Sequence, residues 1–410
     1  MTATSLTEAP LLRQPGFRDL YIAGAVSQLG SQISYVTLPL LAVTTLGAGP
    51  GEVGLLSALS TLTVLIVGLP AGAWVDRLRR RPLMVATDLA RALVLASVPV
   101  GWWLGWLSMA QLYLVAMLVG AGSLLFDVAS LSLVPGLVGR ERLTAANSLL
   151  VGTGAGMDIA GRSAAGVLVQ LAGAPVAILL DALSYLWSAA WLRRVHEPPP
   201  AVSDRPARES LRGRIVDGVR FLFGNPVLVA ALTQGTMANL AFPLCSVLLP
   251  VLIVEHLGYP EWVLGAFLAV GGLGVLAGSS AAHLIGRRFG TGRGVWLVSL
   301  VTTPAALLVP FLDRGGWLVA GAAAWFVLTF RTGINNVLLV SLRQRVTPDD
   351  LLGRMTATMR LLLMGALGLG SLLAGLLGEV WGLRAPLWAG GVVMALSWLP
   401  LAFGPLRRQP

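Results

Sequence analysis

Charged side chains set inside long apolar stretches are the residues of this chain whose type and spacing could do chemistry. The candidate proton-coupling set is Asp158, Asp127, Asp88 and Arg91. A charge at the centre of a lone membrane span costs at least about 2.5–3.5 kcal/mol, so each needs a partner or a water-filled cavity. Counting about 1.5 Å of rise per residue puts Arg91 and Asp127 at similar depths on neighbouring helices. Two interpretations stay open: a structural ion-pair cluster, or a part in proton coupling.

Two further charges share one helix face, because Asp158 and Arg162 are four residues apart. Asp158 is the carboxylate nearest the midplane, so it is the first candidate to carry a proton, and Asp127 is the second. In the C-terminal half, Arg331 and Arg360 each reach about 15 Å deep, with no acid inside that half's spans. Their partners are then acids across a central cavity, backbone and amide groups, or an anionic cargo.

Polar side chains in the same apolar stretches are candidates to line a cavity. In the first stretch, Gln28 and Gln32 belong to a polar stripe with neighbours at three- and four-residue intervals. The substrate-cavity candidates are Gln28, Gln32, Arg162, Gln234, Asn239, Arg331, Asn335, Asn336 and Arg360. Polar contacts between helices are the alternative interpretation of these side chains.

Composition defines the elements that must position these groups. Of 410 residues, 56% are hydrophobic and only 12% are charged, whereas a soluble protein has about 25% charged residues. The chain is therefore predicted to be a polytopic membrane protein with roughly twelve spans, which rules out a soluble enzyme. One cysteine and three histidines allow no internal disulfide and no clustered metal ligands. We expect no enzymatic activity, no cofactor and no metal.

Twelve apolar stretches divide into six and six around a polar interval. The predicted organisation is an N-terminal tail (1–16), a six-helix half (17–192), a linker with an amphipathic helix (193–225), a second six-helix half (226–405) and a C-terminal tail (406–410). The halves also resemble each other, since Gly166 and Gly375 fall in matching helices 209 positions apart. Such duplication is the internal symmetry on which alternating-access transporters are built.

The arginines orient the bundle. Loops on one side carry 23 Arg residues and the opposite loops carry two. Because basic loops stay cytoplasmic, we expect a multi-pass protein of the cell inner (cytoplasmic) membrane with both termini inside. The net charge of +10 then reflects contact with membrane lipids, and no nucleic-acid partner is expected.

The loop between the second and third stretches carries a recognisable motif, Gly72-Ala-Trp-Val-Asp76-Arg77-Leu-Arg-Arg80-Arg81. This motif resembles the signature loop of the major facilitator superfamily. We expect this loop to gate the transport path, because the internal symmetry places the start of the eleventh helix against Asp76. The gating candidates are Gly72, Asp76, Arg77, Arg80, Arg81 and Arg354.

Other stretches resemble the drug, macrolide and siderophore (enterobactin-type) exporter branch of that family, among them Asp88-Leu-Ala-Arg91 in the third span and Asp127 in the fourth. There are two departures from the family pattern. Arg79 stands where the signature loop usually has Gly, and Arg162 stands where exporters often have Pro.

The resemblance implies an all-α polytopic membrane protein with twelve transmembrane helices in two six-helix pseudo-symmetric halves, the major facilitator fold. It implies secondary transport in which a small amphiphilic compound leaves in exchange for protons, by alternating access in a monomer. We expect anionic or zwitterionic cargo, since Arg331 and Arg360 could anchor an acidic group. The alternatives are an importer of the same fold, a lipid flippase, or a non-transporting receptor or scaffold.

Overall fold

A computed structural model describes residues 10–197 and 211–404 of the chain, which contain helices and no strand in those two ranges. The predicted tails and linker lie partly outside the described residues. The long helices of the N-terminal half are α1 (Pro15–Leu46), α2 (Pro50–Arg77), α3 (Arg80–Trp103), α4 (Met109–Val138), α5 (Leu143–Ala172) and α6 (Ala174–Leu192).

A short helix, α7 (Leu211–Gly224), precedes the second half, in the segment predicted to be amphipathic. The remaining helices are α8 (Pro226–Ser246, continued by a π-helical turn at Val251–His256), α9 (Glu261–Phe289), α10 (Thr291–Thr302, continued as 3-10 helix at Thr303–Phe311), α11 (Gly316–Val346), α12 (Asp349–Trp381) and α13 (Arg384–Leu396, followed by a short helix at Leu399–Phe403).

The all-α, twelve-span fold class is confirmed. Eleven helical segments of the described chain are long and apolar enough to cross a membrane. The twelfth span is α5, which is rich in glycine and carries Asp158 and Arg162. The helices end where the sequence supplies stops: Gly47 follows α1 in the left-handed conformation (φ 65°), which glycine adopts without strain, and Pro50 opens α2.

Each half packs mainly against itself, and the two halves meet mainly along two helix pairs, α2 with α12 and α5 with α9. We call the end of the bundle that holds the α1–α2, α5–α6, α8–α9 and α12–α13 turns the loop end. We call the opposite end, which holds the α6–α7 segment, the linker end.

The halves are closed against each other at the loop end. A Cβ atom on Gly54 of α2 would lie 2.7 Å from the backbone N of Gly375 on α12. A Cβ atom on Gly166 of α5 would lie 2.9 Å from the Cα of Gly265 on α9. Helices can cross this closely only where side chains are absent.

Towards the linker end the halves separate. A Cβ atom on Gly353 of α12, or on Gly152, Gly154 or Gly156 of α5, would meet no atom within 4 Å. A gap therefore runs between the halves from the linker end towards the middle of the bundle, and this is where a transported molecule could bind.

Candidate functional site

Asp127 and Arg360 lie on opposite sides of this gap, close enough for the charge of Arg360 to act on the Asp127 carboxylate. Asp127 lies in the middle of α4 and Arg360 lies on α12, so they belong to different halves. Both side chains are exposed although they are deep in their helices, and Arg91 and Arg360 are the cations whose charges act on Asp127. No hydrogen bond or ion pair of Asp127 occurs within the described ranges. The Asp127 carboxylate thus has no fixed protein partner in the described part of the chain.

Asp158 and Arg162 each pair with a glutamine of α1 instead of with one another. Gln28 Nε2 donates to Asp158 Oδ1 at 2.7 Å, and Arg162 Nε donates to Gln32 Oε1 at 2.8 Å. The Arg162 guanidinium also lies 5.0 Å from the ring centre of Tyr35, an exposed side chain. These contacts join the polar stripe of α1 to α5 along a partly exposed seam.

Asp88 and Arg91 form a buried ion pair one helical turn apart on α3. Arg91 also donates to Ser123 Oγ at 3.0 Å. The depths estimated from the sequence suggested a contact between Arg91 and Asp127, but in the structure Arg91 pairs with Asp88 instead. Gly122 on α4 provides the physical reason, since any Cβ there would lie 2.8 Å from Arg91 Cγ. The side chain of Arg91 therefore lies flat against α4 and turns towards Asp88.

A second set of buried polar groups extends this cluster onto α6. The Arg91 guanidinium lies 4.1 Å from the ring centre of Tyr185, whose hydroxyl is 2.9 Å from Ser31 Oγ on α1. Asp181, completely buried, accepts a hydrogen bond from Ser184 Oγ at 3.1 Å. The site prediction missed this polar face of α6, although polar residues at three- and four-residue spacing in an apolar stretch could have indicated it.

Arg331 is buried inside the C-terminal half and does not line the gap. Its side chain is 2% exposed, and Nη2 contacts Met394 Sδ of α13 at 3.1 Å. Asn335, one turn further along α11, is also buried, whereas Asn336 is exposed. Of the two arginines predicted to anchor cargo, Arg331 is therefore buried and Arg360 is exposed.

The two candidates on α8, which is the seventh span, also differ in burial. Gln234 is buried on α8. Asn239 is partly exposed, and its Nδ2 donates to the carbonyl of Gly235 in its own helix at 2.9 Å. The amide of Asn239 is thus satisfied within its own helix.

The signature loop contacts its own half. The backbone N–H groups of Arg80 and Arg81 donate to the carboxylate of Glu197 at 2.8 and 3.3 Å, and Arg81 Nε donates to the Leu192 carbonyl at 3.1 Å. Glu197, which sequence reasoning missed, thereby caps α3. The positions of Gly72, Asp76 and Arg77 fall in the last turns of α2, and their side chains lie outside the described part of the structure.

The remaining gating candidate, Arg354, lies near the start of α12. Its Nη1 donates to Asp217 Oδ2 at 2.8 Å and so ties the amphipathic α7 to α12. The predicted approach of Asp76 to this region involves a side chain outside the described residues and stays a prediction.

Two six-helix halves, packed together at one end and separated by a charged gap at the other, form the architecture of a membrane transporter. The model of the Major Facilitator Superfamily matches residues 20–368. The chain belongs to that superfamily.

Its relatives extend over nearly the whole length. It is 28% identical to the multidrug efflux pump Tap of Mycolicibacterium fortuitum, over 95% of this chain and 96% of that one. It is 26% identical to the uncharacterized MFS-type transporter y4rN of Sinorhizobium fredii, over 89% of each. Its fold is similar to the inward-facing crystal structure of a bacterial homologue of the iron transporter ferroportin, with a TM-score of 0.74 at 18% identity, covering 96% and 98% of the two chains.

Proposed function

We propose that this transporter is an efflux pump that exports a small amphiphilic organic compound in exchange for protons. Similarity to the Tap multidrug efflux pump along 95% of the chain supports export. The observation that carries the coupling proposal is Asp127, an exposed carboxylate in the middle of a membrane helix that faces the gap beside Arg360. A carboxylate in that position is reached by water and can bind a proton or a cargo group, but not both at once.

The asymmetry of arginines between the two sets of loops supports cytoplasmic termini. On that assignment the gap opens to the cytoplasm and the closed loop end faces outside. Cargo enters from the cytoplasm, the halves rock about the gap, and a proton arriving from outside takes its place on Asp127. Both sides of the gap come from one chain, so we propose that a monomer is sufficient.

Asp127 and Arg360 place opposite charges on opposite walls of the gap, and the exposed ring of Tyr35 adds an apolar surface on the Arg162 side. A zwitterionic amphiphile can use both charges, with its acidic group on the Arg360 guanidinium through charge-assisted hydrogen bonds. The cargo class we propose is therefore zwitterionic amphiphiles, whose cationic group can compete with a proton for Asp127, in preference to simple lipophilic cations.

The test is cellular accumulation of two fluorescent probes, zwitterionic norfloxacin and cationic ethidium. Cells that express the wild type should accumulate less norfloxacin, and both Asp127→Asn and Arg360→Ala should abolish that difference. Asp313→Asn, an exposed carboxylate at the loop end, is the matched control and should export normally. Ethidium export equal to that of norfloxacin and insensitive to Arg360→Ala would contradict the cargo class. Unchanged export by Asp127→Asn would contradict the coupling site.

A further inference from the structure

Two hydrogen bonds join the halves at the loop end, and they are related by the internal repeat. Glu379, near the end of α12, accepts from the backbone N–H of Gly51 at 3.1 Å. Gln170, near the end of α5, accepts from the backbone N–H of Trp262 at 3.4 Å. Residues 170 and 379 are 209 positions apart, the same spacing as Gly166 and Gly375. Each half thus contributes one acceptor side chain to a helix start in the other half.

Both acceptors meet amide groups that the helices themselves cannot satisfy. Gly51 lies in the first turn of α2 and Trp262 in the first turn of α9, where backbone N–H groups have no partner within the helix. The start of a helix also carries partial positive charge, which favours an anionic acceptor. These bonds therefore stabilise contact between the halves.

The bonds can form only while the loop end is closed. Glu379 lies one turn beyond Gly375, which packs against Gly54, and Gln170 lies one turn beyond Gly166, which packs against Gly265. If α2 moves away from α12, or α5 from α9, the acceptors lose their amides. The two hydrogen bonds thus belong to one conformational state of the transport cycle.

The two bonds differ chemically in one respect. Gln170 is neutral at every pH, whereas Glu379 carries a charge that a proton removes. Glu379 is exposed, so protons from the solution at the loop end reach it directly. A neutral carboxyl group is a weaker acceptor than a carboxylate and has no net charge to interact with the helix start.

Several other ionisable groups at this end have partners of their own. On α2, Glu52 Oε2 accepts from the Gly49 N–H at 3.0 Å, and on α4 the Tyr113 hydroxyl contacts the Glu52 carbonyl at 3.5 Å. Beyond the end of α12, Arg384 Nη2 is held by Asp313 Oδ2 at 2.6 Å.

On the remaining elements at this end, Glu261 opens α9, and Glu255 and His256 end the turn after α8. Within the described chain, none of the hydrogen bonds or ion pairs at the loop end connects Glu379 to another side chain. Protonation of Glu379 therefore affects its hydrogen bond with the backbone N–H of Gly51 on α2.

We propose that Glu379 is a proton-sensitive positioning residue of the gate at the loop end. As a carboxylate it holds α2 against α12; when a proton from the loop-end solution binds the carboxylate, the Gly51 amide is released and opening becomes easier. This inference rests on the proposed function, in which the loop end faces the more acidic outer solution. There the incoming proton would favour the state that releases cargo.

The test measures opening directly, by electron paramagnetic resonance distances between spin labels on the two halves. Cys245 is the single cysteine and is buried, so a Cys245→Ala background gives clean labelling. The labels replace two exposed side chains at the loop end, Leu104 before α4 and Trp317 at the start of α11. Acidification should increase the long-distance population in the wild-type sequence, and Glu379→Gln should abolish that change.

An exchange of the two acceptors keeps the test independent of folding losses. Gln170→Glu combined with Glu379→Gln should restore the acid response, because the ionisable group is now at the equivalent crossing. An acid response that persists in Glu379→Gln, or no response in the wild type, would overturn the proposal. The spin-label distances are measured without cargo. A protein that shows the acid response but does not export norfloxacin would therefore contradict only the proposed function.

Discussion

Replacing Gly54 with alanine should drive the transporter out of its loop-end-closed conformation. The added Cβ would overlap the Cα of Gly375, and it would lie 2.7 Å from the backbone N of Gly375 and 2.9 Å from the carbonyl O of Ser371. Ordinary nonbonded contacts need about 3.5 Å, so α2 and α12 must move apart by about 1 Å. All three obstructing atoms are backbone atoms, and no change of rotamer can relieve the overlap.

Overpacking of this kind costs about 1–3 kcal/mol. The strain exists only while α2 and α12 are in contact, so it acts on the balance between conformations. Since about 1.4 kcal/mol corresponds to a factor of ten, the closed population should fall by about 5- to 150-fold relative to the open one.

Spin-label distances across the loop end measure this shift, with thermal melting as the check on folding. Gly152→Ala is the matched control: it makes the same change inside a membrane helix at a site where a Cβ meets no atom within 4 Å. The control should keep wild-type distances. A Gly54→Ala variant with wild-type distances would show that the two helices do not meet as described, and would refute the reasoning.

Two further predictions concern charges. Arg91→Met should destabilise the protein by about 3–5 kcal/mol because Asp88 is then buried without its cation; adding Asp88→Asn should recover most of the melting temperature, and no recovery would argue against the pair. At the loop end, the Arg314 backbone N–H and the Arg384 side chain hold the pKa of Asp313 below its usual value. Its contribution is therefore present above the unfolded-state pKa and lost only as pH falls through the lower folded-state pKa. Because Asp313 is exposed, Asp313→Asn should leave the melting temperature unchanged at neutral pH, whereas a clear drop would contradict a surface pair.

The fold could be predicted because membrane helices are encoded by length and apolarity along the chain. Apolar stretches broken by residues such as Gly47 and Pro50 gave helices close to those observed. Depth along a helix follows from counting, and counting places Arg331 far from the ends of its span. Counting gives no direction around the helix axis, and Arg331 points into its own half towards Met394.

Partner choice depends on lateral packing, which one sequence does not display. Arg91 pairs with Asp88 because Gly122 leaves room along α4 for its side chain. Glu379 and Gln170 were not predicted because a polar residue near a helix end is ordinary. The spacing of 209 residues, which also separates Gly166 from Gly375, was the sequence signal that could have related Gln170 to Glu379.

The central claim is that export is coupled to protons through Asp127 in the gap. The most direct test is uptake of norfloxacin into proteoliposomes under an imposed pH gradient, acidic inside, counting only protein whose loop end faces the lumen. The account predicts uphill accumulation that collapses when the gradient is dissipated and is lost in Asp127→Asn, while Asp313→Asn behaves as wild type. Uphill accumulation that needs no pH gradient, or that survives Asp127→Asn unchanged, would contradict it.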